Sequence, residues 1–284
     1  ARAYVAALRA DADIEATSAN VTLAEAVVRQ AESLKLAGTG TGIEVTRARV
    51  QLAMERQRLL AAENERRRTR LALLRSMDAG LDTAIELTDR LTYEKVDGEA
   101  LEIARADVDA QERRAEAARL AASAVKLERL PSVTAFGDYG SIGRSWNHSL
   151  PTRTIGVSVR FPVFDGGRRE ARRAESASLW RAEQIRTRDV KKQAAMEKRL
   201  ALDALRSSDE LVKVAAEGLA LAQSELEQAR RRYEAGVAPG LEVTDAQTRL
   251  ARARDGQVAA LFQHAMARVE LQQATGRLRR EGVR

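Results

Sequence analysis

From Arg168 to Ala235 the chain contains no proline and a single glycine, Gly218. Such a run, rich in Ala, Leu, Glu and Arg, favours one uninterrupted helix, which at about 1.5 Å per residue would be roughly 100 Å long. Within it Val212, Ala215, Leu219, Ala222, Leu226, Ala229 and Tyr233 alternate spacings of three and four, the pattern of a coiled-coil seam. The next stretch continues the pattern with Leu250, Ala253, Gln257, Ala260, His264, Ala267, Leu271 and Ala274. So many alanines at seam positions predict close-packed helices with thin seams and no thick core. The spacing predicts one helix over 168–235, antiparallel to another that starts near Leu241.

Composition supports long helices and excludes several chemistries. Hydrophobic residues make up 44 % of the 284, but aromatics only 4 %, too few for most large globular cores. The absence of cysteine removes disulfide scaffolds, Cys-based zinc sites and thiol catalysis, and two distant histidines leave little acid–base or metal chemistry. No catalytic, cofactor-binding or metal-ligating set is expected, so the chain does not read as an enzyme. The net charge of +7 is small beside 48 basic and 41 acidic residues, which are interspersed as on solvated helix faces carrying i,i+4 pairs. No apolar run reaches the ~18 residues of a membrane-spanning helix. The opening Ala1-Arg2-Ala3-Tyr4 is already helical in character and reads as a processed or truncated start.

Three of four prolines, six glycines and five of ten aromatics fall between 131 and 167, the one window that does not read as helix. There the period switches to two. Ile155, Val157, Val159 and Phe161 share one strand face, with Thr154, Gly156, Ser158 and Arg160 on the other. Val133, Ala135 and Tyr139 alternate more weakly with Ser132, Thr134 and Asp138. A polar stretch, from Gly143 through His148 to Ser149, separates the two. Strands of about ten residues with one apolar face suit a transmembrane barrel; a half-buried soluble hairpin has the same pattern. An isolated hairpin is not stable in water, however, and the sequence offers no other sheet.

An internal repeat links the halves. Residues 37–46 (AGTGTGIEVT) align with residues 235–244 (AGVAPGLEVT) at an offset of 198, as from Gly38 to Gly236. In both copies a helix ends at a glycine, turns within a few residues and restarts, so two antiparallel helical hairpins related by duplication are expected.

Several motifs resemble those of the TolC-like outer-membrane efflux proteins. Phe161-Pro162-Val163-Phe164-Asp165-Gly166-Gly167 resembles the family's junction from strand to long helix, and Leu130-Pro131-Ser132-Val133 its entry into the preceding strand. Arg105-Ala106-Asp107-Val108 is similar to an Arg-Pro-Asp-Leu motif that opens a short helix, with Ala106 in place of the proline. Tyr233-Glu234-Ala235-Gly236, followed by Glu242, Val243 and Ala246, resembles the periplasmic tip hairpin. The resemblance implies a mainly α protomer of long antiparallel coiled-coil hairpins, with a two-stranded β-hairpin given to a trimeric outer-membrane β-barrel. Its parts would be a first-repeat hairpin (1–79), an equatorial segment (80–106), an upper helix (107–130), the strand pair (131–165), a second-repeat hairpin (166–276) and a tail (277–284). The family's first strand pair would precede Ala1, and without it this chain should trimerise weakly or not at all.

The resemblance also implies function: a passive exit duct for drugs, metals or proteins in a tripartite efflux or type I secretion system. Its partners would be two further copies, a periplasmic adaptor at the tip turns (Gly38, Gly42, Gly236, Gly240), an inner-membrane transporter and outer-membrane lipid, with no cofactor and no nucleic acid. Glu242 and Asp245 would line the constriction at the periplasmic end. On the residues alone, these two acids suit the positive end of a helix dipole better than a pore lining. Gly38–Gly42 superficially resembles a phosphate loop but lacks the following Lys and a preceding strand. Arg66–Arg68 and Arg230–Arg232 are flanked by acids and lack stacking aromatics, so solvated faces outweigh nucleic-acid contact. A soluble coiled-coil scaffold is the alternative to the duct.

Overall fold

The computed structural model describes residues 1–97, 101–128, 130–143, 148–161 and 163–277. Pro162 of the junction motif, loop residues 144–147 and tail residues 278–284 lie outside them. The described elements are α1 (Arg2–Leu36), α2 (Gly42–Ser76), α3 (Ala106–Leu127), β1 (Ser132–Gly143), β2 (Ser149–Arg160), α4 (Arg168–Glu234) and α5 (Gly240–Thr275). α4 is one helix of 67 residues and passes through Gly218 without a break. The chain divides into two units, Ala1–Ile103 with Met196–Arg284, and Ala104–Ala195.

In the first unit α1 and α2 form an antiparallel hairpin. Asp11–Arg70, Glu25–Arg56 and Glu32–Arg49 ion pairs ascend one helix and descend the other. α4 beyond Met196 and α5 form the second hairpin, with Glu225 paired to Arg249 near the turn and Asp209 beside His264 farther along. The repeat offset survives folding: α1 ends at Leu36 and α4 at Glu234, while α2 begins at Gly42 and α5 at Gly240. Near the turns, Val27, Val28 and Ala31 of α1, Val45 and Ala48 of α2, Leu226 and Ala229 of α4, and Val243 and Leu250 of α5 make one apolar cluster. Each buried Val or Leu there contributes about 1.5–3 kcal/mol.

The predicted seam on α4 is buried at Val212, Ala222, Leu226, Ala229 and Tyr233. α5 departs from the thin-seam expectation. It also buries Gln247, Ala251, Val258 and Val269, because α1 lies along its other side, where Asn20 meets Arg254 and the Leu23 carbonyl meets Gln247. Residues 79–97 carry no regular secondary structure; they are held down by Tyr4 donating to Asp89 at 2.7 Å and by the Arg268–Glu94 ion pair.

In the second unit α3 lies along the first part of α4, with Gln111 donating to Glu183 at 2.7 Å and Arg172 paired to Glu128 at 2.9 Å. β1 and β2 are antiparallel, with Val133 opposite Val159, Ala135 opposite Val157 and Gly137 opposite Ile155. Each strand has 12 residues, and Gly143 and Ser149, placed in the polar loop by sequence, end them instead. Val133, Val157 and Val159 are 65–69 % exposed and Ile155 is 89 % exposed, so this apolar face is uncovered within the chain. On the opposite face the Phe136 ring lies over Gly156, where a Cβ would come within 2.5 Å of the ring. The strand pair hands over to α4 through Asp165, which accepts from the Arg169 N–H at 3.1 Å and its Nε at 2.7 Å.

Candidate functional site: the paired tip turns

The two inter-helix turns lie side by side and are built alike. Gly38 and Gly236 both take the left-handed conformation, with φ of 76° and 68°, which costs a residue with a Cβ about 1–2 kcal/mol. Behind each glycine the chain folds back onto the preceding helix: the Thr39 N–H donates to the Leu34 carbonyl at 3.1 Å, and the Val237 N–H to that of Arg232 at 2.9 Å.

The copies differ at the residue before each new helix. Thr41 caps α2 in a capping box, its N–H donating to Glu44 Oε2 at 2.9 Å. Its counterpart Pro239 has no N–H to give. The equivalent acid, Glu242, therefore turns elsewhere and pairs with Arg232 Nε at 3.2 Å. The amide of Gly240, the first helical residue of α5, finds its acceptor in the other repeat: it donates to Glu44 Oε1 at 3.2 Å. One carboxylate thus serves the positive ends of two helices. The Thr41 N–H above all, with the Gly240 N–H, the Thr41 hydroxyl and Arg47, holds Glu44 below the ordinary carboxylate range, against the opposing effect of burial. Tyr233 packs beside Gly240; burial first, and then the Glu44 charge, raise its phenol above the usual value.

Of the site residues named from sequence, the structure brings Gly38, Gly42, Gly236 and Gly240 together at one end of the first unit. Glu242 is half-buried and ion-paired, whereas Asp245 is exposed. Arg249, on the turn after Asp245, is taken by Glu225 at 2.7 Å. The arginine runs are solvated and paired: Arg68 with Glu65, Arg231 with Glu227 and Arg232 with Glu242. His264, a seam position, is fully buried. Its Nε2 lies 3.0 Å from Asp209 Oδ1, off the line of a straight hydrogen bond, and its ring centroid is 4.9 Å from that of Tyr93.

Sequence reasoning passed over Glu44 as a functional acid, although Thr41-x-x-Glu44 is a legible capping-box signature. It also passed over the buried polar residues Asn20, Glu55 and Gln247, for which no local signal exists. Among the described residues no group of three or more His, Asp or Glu could hold a metal ion, and no helix is long and apolar enough to cross a membrane.

Among solved structures, the outer membrane protein VceC of Vibrio cholerae matches with a TM-score of 0.80 at 22 % identity, over 96 % of this chain and 68 % of that one. The Neisseria gonorrhoeae MtrE outer membrane channel, in its open state, gives 0.82 at 18 % identity, over 100 % of this chain and 66 % of that one. The Campylobacter jejuni CmeC outer membrane channel gives 0.74 at 16 % identity, over 97 % and 61 %. At these identities the likeness is one of fold, and the chain spans about two thirds of the length of those channels. Comparison with curated proteins gives no match. The family model described as outer membrane efflux protein matches residues 99–277, so the chain belongs to that family.

Proposed function

We propose that this chain is part of an outer-membrane exit duct, a passive conduit whose long helical hairpins stand in the periplasm and whose strand pair joins a β-barrel in lipid. The observation that carries the reading is the uncovered apolar face of β1 and β2, in a chain whose family is one of channels rather than enzymes. A soluble coiled-coil scaffold has no use for such a face. In lipid, two strands leave open edges whose amides need partners, so the duct is a homotrimer in which strands from several copies close the barrel. The tip turns at Gly38–Gly42 and Gly236–Gly240 receive a periplasmic adaptor, which links the duct to an inner-membrane transporter.

Glu242 and Asp245 form acidic rings at the periplasmic entrance, attracting cations and raising cation selectivity. Arg232 offsets the Glu242 charge within the chain, so the exposed Asp245 contributes the larger share. Planar-bilayer recordings on the full-length protein test both levels. The duct reading requires stable conductance, and a protein that inserts without conducting would sink it. With conductance in hand, Asp245→Asn should lower cation selectivity and block by multivalent cations more than Glu242→Gln does. Unchanged selectivity in the double variant would leave both acids as helix-start residues.

A further inference from the structure

A small polar cavity of about 10 Å³ lies between α1, α2 and α5, lined by Asn20, Leu23, Gln51, Glu55, Gln247 and Ala251. That volume is close to the smallest that admits one water molecule. Its polar walls are well out of solvent: Glu55 is 2 % exposed, Asn20 4 % and Gln247 5 %.

The walls present more acceptors than donors. Gln247 Nε2 donates to the Leu23 carbonyl at 3.4 Å, while Gln247 Oε1 is buried with no partner among the described residues. Glu55 Oε1 accepts from Gln51 Nε2 at 2.8 Å and from the Arg58 guanidinium at 3.1 Å, but among the described residues Oε2 has only a long 3.4 Å contact with Arg58. Buried acceptors are costly unless something donates to them. A cation could serve both oxygens. The local charge argues against it, because Arg58 already offsets Glu55 and the Arg254 guanidinium adds a second positive group at Asn20 Oδ1. A neutral molecule with two donors and no net charge fits.

We propose that this cavity binds one water molecule, which donates to Gln247 Oε1 and to the Glu55 carboxylate. The water joins α5 of the second repeat to α2 of the first, across α1. It lies about 16 Å along α2 from Glu44, taking 11 residues of rise, and so adds to the polar links between the hairpins, well behind the one at the tip. Such a bridge tolerates small shifts of α5, since a water can re-aim its donors where a direct side-chain bond would break.

The test is a density map of the full-length protein at a resolution that shows ordered water, for the wild type and for Gln247→Met. The expected result is a peak about 2.5–3.0 Å from both Gln247 Oε1 and a Glu55 oxygen, lost in the variant, where the thioether occupies the space. An empty wild-type cavity in a map that shows other buried waters would overturn the proposal. So would a reversed Gln247 amide donating directly to Glu55 with no peak between them, or a peak ringed by several oxygens at the shorter distances of a metal ion. Should the variant fail to fold, the wild-type map alone still decides.

Discussion

Glu44 Oε1 accepts the backbone N–H of Gly240 at 3.2 Å, so a carboxylate from the first repeat holds the opening residue of α5 in the second. The link exists because Pro239 leaves α5 without a capping box of its own, and because Glu44 has a second oxygen free once Thr41 has taken the first.

Replacing Glu44 with alanine should therefore loosen both turns. Loss of the N3 half of the capping box leaves the Thr41 N–H at the start of α2 without its acceptor, and the amide of Gly240 loses its acceptor as well. Hydrogen exchange should quicken in peptides covering 37–45 and also in those covering 236–243. Faster exchange confined to the first set would show that the bond to Gly240 couples nothing.

On the strand pair, Gly156→Ala should displace the Phe136 ring, since the new Cβ would lie within 2.5 Å of ring atoms. The ring is half exposed and can swing away, so the expected loss is modest, about 1 kcal/mol for a large apolar contact. Once Phe136→Ala has removed the ring, the glycine substitution should cost clearly less. Thermal unfolding of the four proteins of this cycle in detergent checks it; additive effects would mean that the ring gains nothing from Gly156.

Ala106→Pro should stabilise the start of α3. Ala106 is the first helical residue, and Arg105 before it is extended, with φ of −88° and ψ of 129°, a conformation that a following proline favours. Proline at that position sacrifices no helical hydrogen bond. Asp107 is gripped chiefly by the Arg105 guanidinium, at 2.7 and 3.0 Å, and sits below its ordinary pKa. A gain of about 0.4–1 kcal/mol follows from the stiffer unfolded chain, read as a higher Tm. A lower Tm would show that the backbone there is not ready for proline.

Acid should weaken the middle of the second hairpin through His264. Burial lowers its pKa below 6.5, Arg268 acts in the same direction, and Asp209 and Glu94 oppose them. The unfolded chain therefore takes up the proton first. Stability is intact above the unfolded pKa and falls as pH drops through 6.5 towards the lower folded value. His264→Gln should flatten that slope between pH 7.5 and 5, whatever it does to Tm at neutral pH; an unchanged slope would exclude His264 as its source.

What the sequence determined by itself is local and periodic. The lack of proline from Arg168 to Ala235 and the heptad spacing of Val212 to Tyr233 make α4 long and mark its buried stripe, because side-chain direction along a helix follows residue number. The period of two around Val157 placed the strand pair and its apolar face. The offset between Gly38 and Gly236 located both turns, since only a residue without Cβ enters the left-handed conformation cheaply. Tertiary structure alone decided where those faces go. The burial of Gln247 and Glu55 follows from α1 lying along α5, and nothing in their own neighbourhoods distinguishes them from solvated polar residues. The bond from Gly240 to Glu44 joins residues 196 apart in the chain. Capping chemistry shows that an amide at a helix start needs an acceptor; which acceptor answers depends on how the two hairpins pack.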